Sequence, residues 1–346
     1  MSEVHAVLSE LRVREKALWD YLREHLDGFS EPAEMSQFLG GQSNPTYLIS
    51  TPSRKFVLRK KPPGLLVATA HLIEREYQVQ RALTMSIVPV APPRLFCADP
   101  AVIGTPFYVM DYIDGVIYSD VALRALAPEH RRACYESMIN ILAKIHTLDY
   151  RECGLANFGK PNRYIERQIE RWAGQHAKFG GNSSPVMDRL ASRLSKRIPI
   201  EQAATLIHGD FRLANIMFEP SGAGVSAVLD WELSTLGHPL LDLAFCCLAH
   251  YLPSDTPTFG GLAGQDLMAL NIPTAEEMLY IYCRAVNRES IDDWAFFVAF
   301  AFFRLAAISE GIVARARQGN AVDGRAAEFA EIARLMAELG DCFAQG

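Results

Sequence analysis

The chain has 346 residues and a formal net charge of −6, with 49% hydrophobic, 21% charged and 10% aromatic residues. That length suits one bilobal enzyme or two closely packed domains, and the acidic balance argues against nucleic acid as the main partner, since such proteins usually carry a basic footprint. Seven cysteines, an odd number with no C-x-x-C pair or disulfide-like spacing, point to a reducing, cytoplasmic compartment.

Met1-Ser2-Glu3-Val4-His5 has neither the basic nor the apolar region of a secretory signal, and the absence of an uninterrupted run of about 18 apolar residues predicts no membrane span. Val7, Leu8, Leu11, Leu18, Trp19, Leu22 and Leu26 recur at helical intervals among charged residues, which predicts an amphipathic helix over 1–26. Short strands follow at about 35–39, 46–50 and 55–60. Between the first two lies Gly40-Gly41-Gln42-Ser43-Asn44-Pro45. A glycine pair lets backbone N–H groups approach a ligand closely, and Ser43 and Asn44 add donors suited to phosphate oxygens. The same residues would also make a plain hairpin turn, and the loop is not G-x-G-x-x-G.

In the third strand, alternation sends Val57 and Arg59 to one face. Lys60 and Lys61 are expected in solvent, and Pro62-Pro63-Gly64 stops the strand. A helix is predicted over 69–83, then a strong strand over 107–113 that runs into Asp114-Gly115. From Pro128 the signals are helical, at about 129–148, 163–178 and 185–197, and beyond a loop at 252–264 again at 274–287, 291–318 and 321–343. Cys246-Cys247 reads as buried helix. Phe296, Phe297, Phe300, Phe302 and Phe303 read as core; Arg304 among them needs a partner, either an acidic group or an anionic substrate.

The chemistry concentrates in His208-Gly209-Asp210-Phe211-Arg212-Leu213-Ala214-Asn215. Asp210 can accept a proton from an attacking hydroxyl, and Asn215 can offer its amide oxygen to a hard cation such as Mg²⁺. The apolar run 203–207 delivers this loop, and strands at 216–218 and 225–229, joined by a turn at Pro220-Ser221-Gly222, lead to Asp230. A hairpin of that length returns Asp230 beside Asn215, which turns an ordinary turn or cap residue into a second oxygen ligand. Glu232 is open to two readings, the metal shell or acceptor, and a structural contact. His208 and His238 read as hydrogen-bonding loop residues, since a base already stands at Asp210.

GGQSNPTYL, VLRKKPPG, HGDFRLANIMF and LDWELSTLGHPLLDLA resemble, in that order and over about 30–250, the aminoglycoside phosphotransferase-like branch of the protein-kinase-like fold. The likeness is greatest to the kinase domain that some larger proteins join to an acyl-CoA dehydrogenase. The resemblance implies an α+β, bilobal fold: a small antiparallel-sheet lobe at 1–113 carrying the amino-terminal helix, and a larger, mainly helical lobe at 114–346. It implies that Asp210 is the catalytic base, that Asn215 and Asp230 hold Mg²⁺, and that Asp242 braces the catalytic loop. Arg59 takes the place of the strand lysine at the nucleotide phosphates, an exchange that keeps the charge but not the geometry. Its helix partner is Glu76 or, with the helix phase open, Glu74. Met110, Asp111, Tyr112 and Ile113 become the hinge at the adenine edge, beside Gly40, Gly41, Ser43 and Asn44 as phosphate cover. Arg212 either faces the γ-phosphate or pairs within the lower lobe.

The function expected is transfer of the ATP γ-phosphoryl group to a hydroxyl of a small molecule or acyl-CoA, with an acyl-CoA dehydrogenase as a partner on the same pathway, a monomer or homodimer, and no nucleic acid or membrane. Aminoglycosides, choline, homoserine and sugars stay open as acceptors, and GTP as the donor. Two rivals stand beside it. A metal-dependent phosphatase generally needs more histidine and carboxylate ligands, and a silent nucleotide-binding module fits poorly with intact Asp210, Asn215 and Asp230.

Overall fold

In the computed structural model, which describes residues 4–8, 11, 13–38, 44–61, 72–179, 184–200, 203–317 and 326–345, the strand-forming segments near the amino terminus assemble one antiparallel sheet. Its strands are β1 (Val4–His5), β2 (Glu34–Phe38), β3 (Thr46–Ser50), β4 (Lys55–Lys60), β5 (Pro93–Cys97) and β6 (Phe107–Asp111), in the spatial order β1-β2-β3-β4-β6-β5. Helix α1 (Glu15–His25) covers one face, where Leu18, Leu22 and Leu26 pack on Tyr47, Ile49, Phe56, Leu58, Phe107 and Val109. The opposite face carries Val57, Tyr108 and Met110 against Ile73 of α2 (Leu72–Leu83). The short α3 (Pro100–Ile103), capped by Asp99, links β5 to β6, and β7 (Val116–Ile117) follows.

The helical part begins with α4 (Pro128–Thr147), α5 (Tyr164–Phe179) and α6 (Pro185–Lys196), then β8 (Thr205–Ile207). Next comes the hairpin β9 (Ile216–Phe218) and β10 (Val225–Val228), with β7 on its other edge. Strand β11 (Thr235–Gly237) pairs antiparallel with β8, and it leads into α7 (Pro239–Cys247), α8 (Leu267–Leu270), α9 (Ala275–Ala285), α10 (Trp294–Arg317) and α11 (Ala326–Phe343). Two compact units result, neither continuous in sequence. One gathers Met1–Tyr118, Arg151–Leu155 and Ala214–Ser234; the other gathers Ser119–Tyr150, Ala156–Leu213 and Thr235–Gly346.

The expected antiparallel sheet and helical part are present, and the strands at 46–50 and 55–60 fall on the residues predicted. The helix expected over 1–26 does not. Among the described residues the α-helix covers Glu15–His25; Val4 and His5 pair with Phe38 and Gln37, Leu8 N–H donates to the Gln37 side chain (3.1 Å), and the Tyr47 hydroxyl donates to the Leu11 carbonyl (2.7 Å). An open sheet edge offers unpaired backbone groups, and satisfying them outweighs the helical spacing of these apolar residues. Lys60 is a second correction. Alternation puts it on the α1 face with Phe56 and Leu58, where it is 4% exposed near the Tyr47 ring, and burial lowers its ammonium pKa. β5, β7, β11, α3 and α8 escaped prediction because each spans two to five residues and carries no period of its own.

The aromatic-rich segment forms α10, the core helix of its unit. By length and composition it could cross a membrane, but 78% of its most apolar window is buried inside the protein. Leu58, fully buried in the central strand β4, provides a test of the sheet core. Leu58→Ala should cost roughly 2–5 kcal/mol through lost burial and the cavity left behind, read as a lowered urea midpoint.

Candidate functional site

The predicted loop is divided between the units, with His208 to Leu213 in the second and Ala214 and Asn215 in the first, and its start is held from beneath by one carboxylate. β8 ends at Ile207 opposite Thr235 of β11, and the chain turns through Gly209, whose φ of 84° favours glycine. Asp242, in the first turn of α7, accepts the backbone N–H of His208 (2.5 Å) and of Gly209 (2.8 Å). His208, wholly buried, accepts the Asp210 N–H on Nδ1 (3.2 Å). Asp242 is itself buried, which alone would raise its pKa. Hydrogen bonding and charge from His146, with the backbone N–H of His208, prevail and hold it below its ordinary value. His146 Nε2 stands 3.5 Å from Asp242, and its Nδ1 lies 2.7 Å from the Tyr282 hydroxyl. Asp210, half-buried, is therefore presented on a backbone anchored through its own N–H and those of the two residues before it.

His238 caps α7 by accepting the Leu240 N–H on Nδ1 (3.3 Å) and stacks on Phe297, a loop hydrogen-bonder as expected. Arg212 has no ion-pair partner among the described residues. Its guanidinium lies 5.8 Å from the Phe259 ring centre, and its Nε is buried without a hydrogen bond. The pairing expected as one alternative for Arg212 is thus absent there.

The first unit holds a second network. Arg59, on the Val57 face of β4, forms an ion pair with Glu76 of α2 and donates from Nη2 to Asp230 Oδ1 (3.2 Å). Glu76 is 0% exposed whereas Glu74 lies in solvent, which decides the helix phase that the sequence left open. Burial pushes the Glu76 carboxyl up to about 7 against the pull of Arg59, and the charges of Asp230 and Glu232 add to the push. Burial works against the Arg59 charge as well, but Glu76, Tyr108 and Asp230 outweigh it and keep the guanidinium above its ordinary range.

The hairpin pairs Ile216 with Val228, and Leu229 N–H donates to the Asn215 carbonyl (2.9 Å), so Asn215 stands opposite the residue that precedes Asp230. Asp230 adopts φ 63° and keeps a third of its side chain exposed. Trp231, fully buried, donates from its indole to the Val228 carbonyl (3.0 Å) and seats the turn. Glu232 accepts from the Asn44 amide (3.2 Å), a structural contact of the kind that is one of its two readings. Asn44 is thereby buried and engaged, while Gly40, Gly41 and Ser43 lie outside the described residues.

At the expected hinge, Met110 is buried in β6, Asp111 accepts from Arg94 Nε (2.9 Å), and Tyr112 N–H donates to the Lys55 carbonyl (3.3 Å). Ile113 packs beside the Val57 face. Sequence reasoning missed His146, whose place among apolar helix residues marked it only as core, and the Asn44–Glu232 contact, which joins residues 188 apart.

Among the described residues no group of three His, Cys, Asp or Glu side chains could hold a metal. The donors on the hairpin, one carboxylate and one amide oxygen, fit a hard cation that keeps most of its shell as water and phosphate oxygen, as Mg²⁺ does.

A family model described as the phosphotransferase enzyme family matches residues 34–275. The mouse protein named acyl-CoA dehydrogenase family member 10 is 44% identical over 98% of this chain. The chain spans only 32% of that protein and 44% of the human family member 11. A crystal structure from Ralstonia eutropha, provisionally named an aminoglycoside phosphotransferase, is 40% identical, with a TM-score of 0.88 over 96% of this chain and 99% of that one. More distantly, a hygromycin-bound aminoglycoside phosphotransferase solved with AMP-PNP shares the fold, at TM-score 0.60 and 14% identity, over 95% of this chain and 98% of that one. The fold is therefore the protein-kinase-like one expected.

Glu76 offers a test by pH. Its folded pKa of about 7 lies above the ordinary 4.5, so the folded state binds more protons than the unfolded state between those values, and stability from this group falls as pH rises through that window. Glu76→Gln should flatten that part of the profile, measured as urea midpoints from pH 4.5 to 7.5. An unchanged slope in the variant would assign the dependence to other groups.

Proposed function

The chain belongs to the phosphotransferase enzyme family, and from that premise we propose that it moves the γ-phosphoryl group of ATP to a hydroxyl on a small-molecule acceptor. The observation that carries the proposal is the double engagement of Arg59 by Glu76 and Asp230. A strand cation tied to both a helix glutamate and the aspartate that ends the hairpin is the arrangement phosphoryl transfer uses to grip the nucleotide phosphates beside the metal. Arginine in this place grips with a planar fork where lysine would act as a point charge.

Asp210 is proposed to accept the proton of the acceptor hydroxyl, its position set by the hydrogen bonds on His208, Gly209 and its own N–H. Arg212, with an unsatisfied buried Nε, is proposed to stabilise charge on the transferred group. Asn215 and Asp230 would hold Mg²⁺, which when bound neutralises phosphate oxygens. Met110, Asp111, Tyr112 and Ile113 are proposed to meet the adenine. The N–H groups of Asp111 and Tyr112 already serve the Pro92 and Lys55 carbonyls, so base recognition falls to the carbonyls of this segment and to Ile113. Gly40, Gly41, Ser43 and Asn44 are proposed as phosphate cover.

For the acceptor we propose a hydroxyacyl-CoA, with an acyl-CoA dehydrogenase acting on the same pathway. Two facts support it: the relatives bear dehydrogenase names, and this chain accounts for less than half of their length.

Asp210→Asn should leave the ATP–Mg²⁺ thermal shift in place and lower acceptor-dependent ADP release by roughly 10²–10⁴-fold, the usual contribution of a general base. Asp230→Asn should instead weaken the Mg²⁺-dependent part of the thermal shift. Full turnover in Asp210→Asn would remove that residue from the chemistry.

A further inference from the structure

The second unit carries a cationic face that the reaction above does not use. Helix α5 presents Tyr164, Arg167 and Arg171 at intervals of three and four residues, hence on one side, and α10 packs across it with Arg304. Each of these arginines rests on an aromatic ring. Arg167 lies 5.9 Å from the Tyr164 centroid and Arg171 4.8 Å from that of Trp172, while Arg304 lies 5.9 Å from Trp172 and 5.1 Å from Phe245. Among the described residues none of the three has a carboxylate partner; Arg167 donates only to the Lys160 carbonyl. Trp172 is 7% exposed, and its indole N–H is buried without an acceptor. In a chain of net charge −6, three unpaired guanidinium groups and an orphaned donor on one face are unexpected. An unmade hydrogen bond at a buried donor costs free energy that a bound acceptor would recover.

The place of this face relative to the loop is set within the same unit. Phe245 follows Asp242 by three residues on α7, so one side of that helix braces the loop and, a turn later, meets Arg304. The Tyr164 ring packs against Gly237 at the end of β11, the partner of the strand that delivers the loop. Burial raises the Tyr164 hydroxyl to about 12, with Arg304 pulling it down and Asp242 pushing it up. Asp242 is occupied by the His208 and Gly209 N–H groups and does not neutralise Arg304.

We propose that Arg304, Arg171 and Arg167, with the Trp172 indole N–H, form the subsite that binds a phosphate-bearing part of the acceptor. Guanidinium groups bind phosphate in bidentate fashion, and rings behind them hold the forks in place at little entropic cost. The acceptor is then an anionic organic phosphate, not a polycation of the aminoglycoside kind. The inference rests on the phosphotransferase reading for its meaning as an acceptor site, but the face can be tested without turnover.

The test uses the full chain and coenzyme A as the probe, followed by calorimetry and by quenching of tryptophan emission, with ATP–Mg²⁺ binding measured in parallel. Wild type should bind coenzyme A with an affinity that falls as salt rises. Arg304→Gln should weaken binding about tenfold or more, the loss expected for one charged hydrogen bond. Arg171→Gln, at an exposed position, should weaken it several-fold, with ATP–Mg²⁺ binding unchanged in both variants. Coenzyme A binding that is absent in wild type, or equal in wild type and Arg171→Gln, would overturn the proposal, as would tight binding of kanamycin in place of coenzyme A. Loss of ATP–Mg²⁺ binding in wild type would instead count against the phosphotransferase reading and leave the anion result to be judged by itself.

Discussion

A buried carboxylate accepting two consecutive backbone N–H groups is the constraint on which the His208–Asp210 turn depends. Asp242 is 2% exposed, and burying its charge would be costly if its oxygens were not filled by the His208 and Gly209 N–H groups, with His146 3.5 Å away. In return the loop has little freedom. Gly209 must turn with positive φ for both N–H groups to converge, and the His208 ring then falls where it accepts the Asp210 N–H. In the role proposed for it, Asp210 would need no rearrangement of its own backbone during proton transfer, which is where preorganisation contributes to catalysis.

The first unit solves a related problem with opposite charges. Arg59, Glu76 and Asp230 come from a strand, a helix and a hairpin, and their mutual neutralisation allows ionised groups to sit where the sheet packs on α2. The arrangement is sensitive. Removing either acid leaves a buried guanidinium short of a partner, a larger penalty than the net worth of the pair.

Charge is distributed unevenly through the molecule. In the two networks above each carboxylate meets a guanidinium or backbone N–H groups, whereas Arg167, Arg171 and Arg304 face aromatic rings and no acid among the described residues. Ring contacts of about 0.5–2 kcal/mol each are enough to seat such groups without cancelling their charge. A chain that is acidic overall can therefore still present a local attraction for anions, which net charge by itself conceals.

Much of this was legible in the residues. Alternation placed Val57 with Arg59, turn chemistry at Pro220-Ser221-Gly222 set the hairpin that returns to Asp230, and the order of four motifs carried the fold. The first two are short-range features, fixed by the period of a strand or the length of a turn, while the fold came from the family resemblance those motifs carry. What the sequence left open depended on contacts between distant segments: the choice of Glu76 over Glu74, which needed the phase of α2 against β4; the burial of Lys60 beneath Tyr47; and the edge pairing that drew Val4 and His5 out of a helix. The absence of an acidic partner for Arg304 among the described residues belongs with these, because pairing across helices is decided by packing, and periodicity along one helix carries no record of what lies opposite.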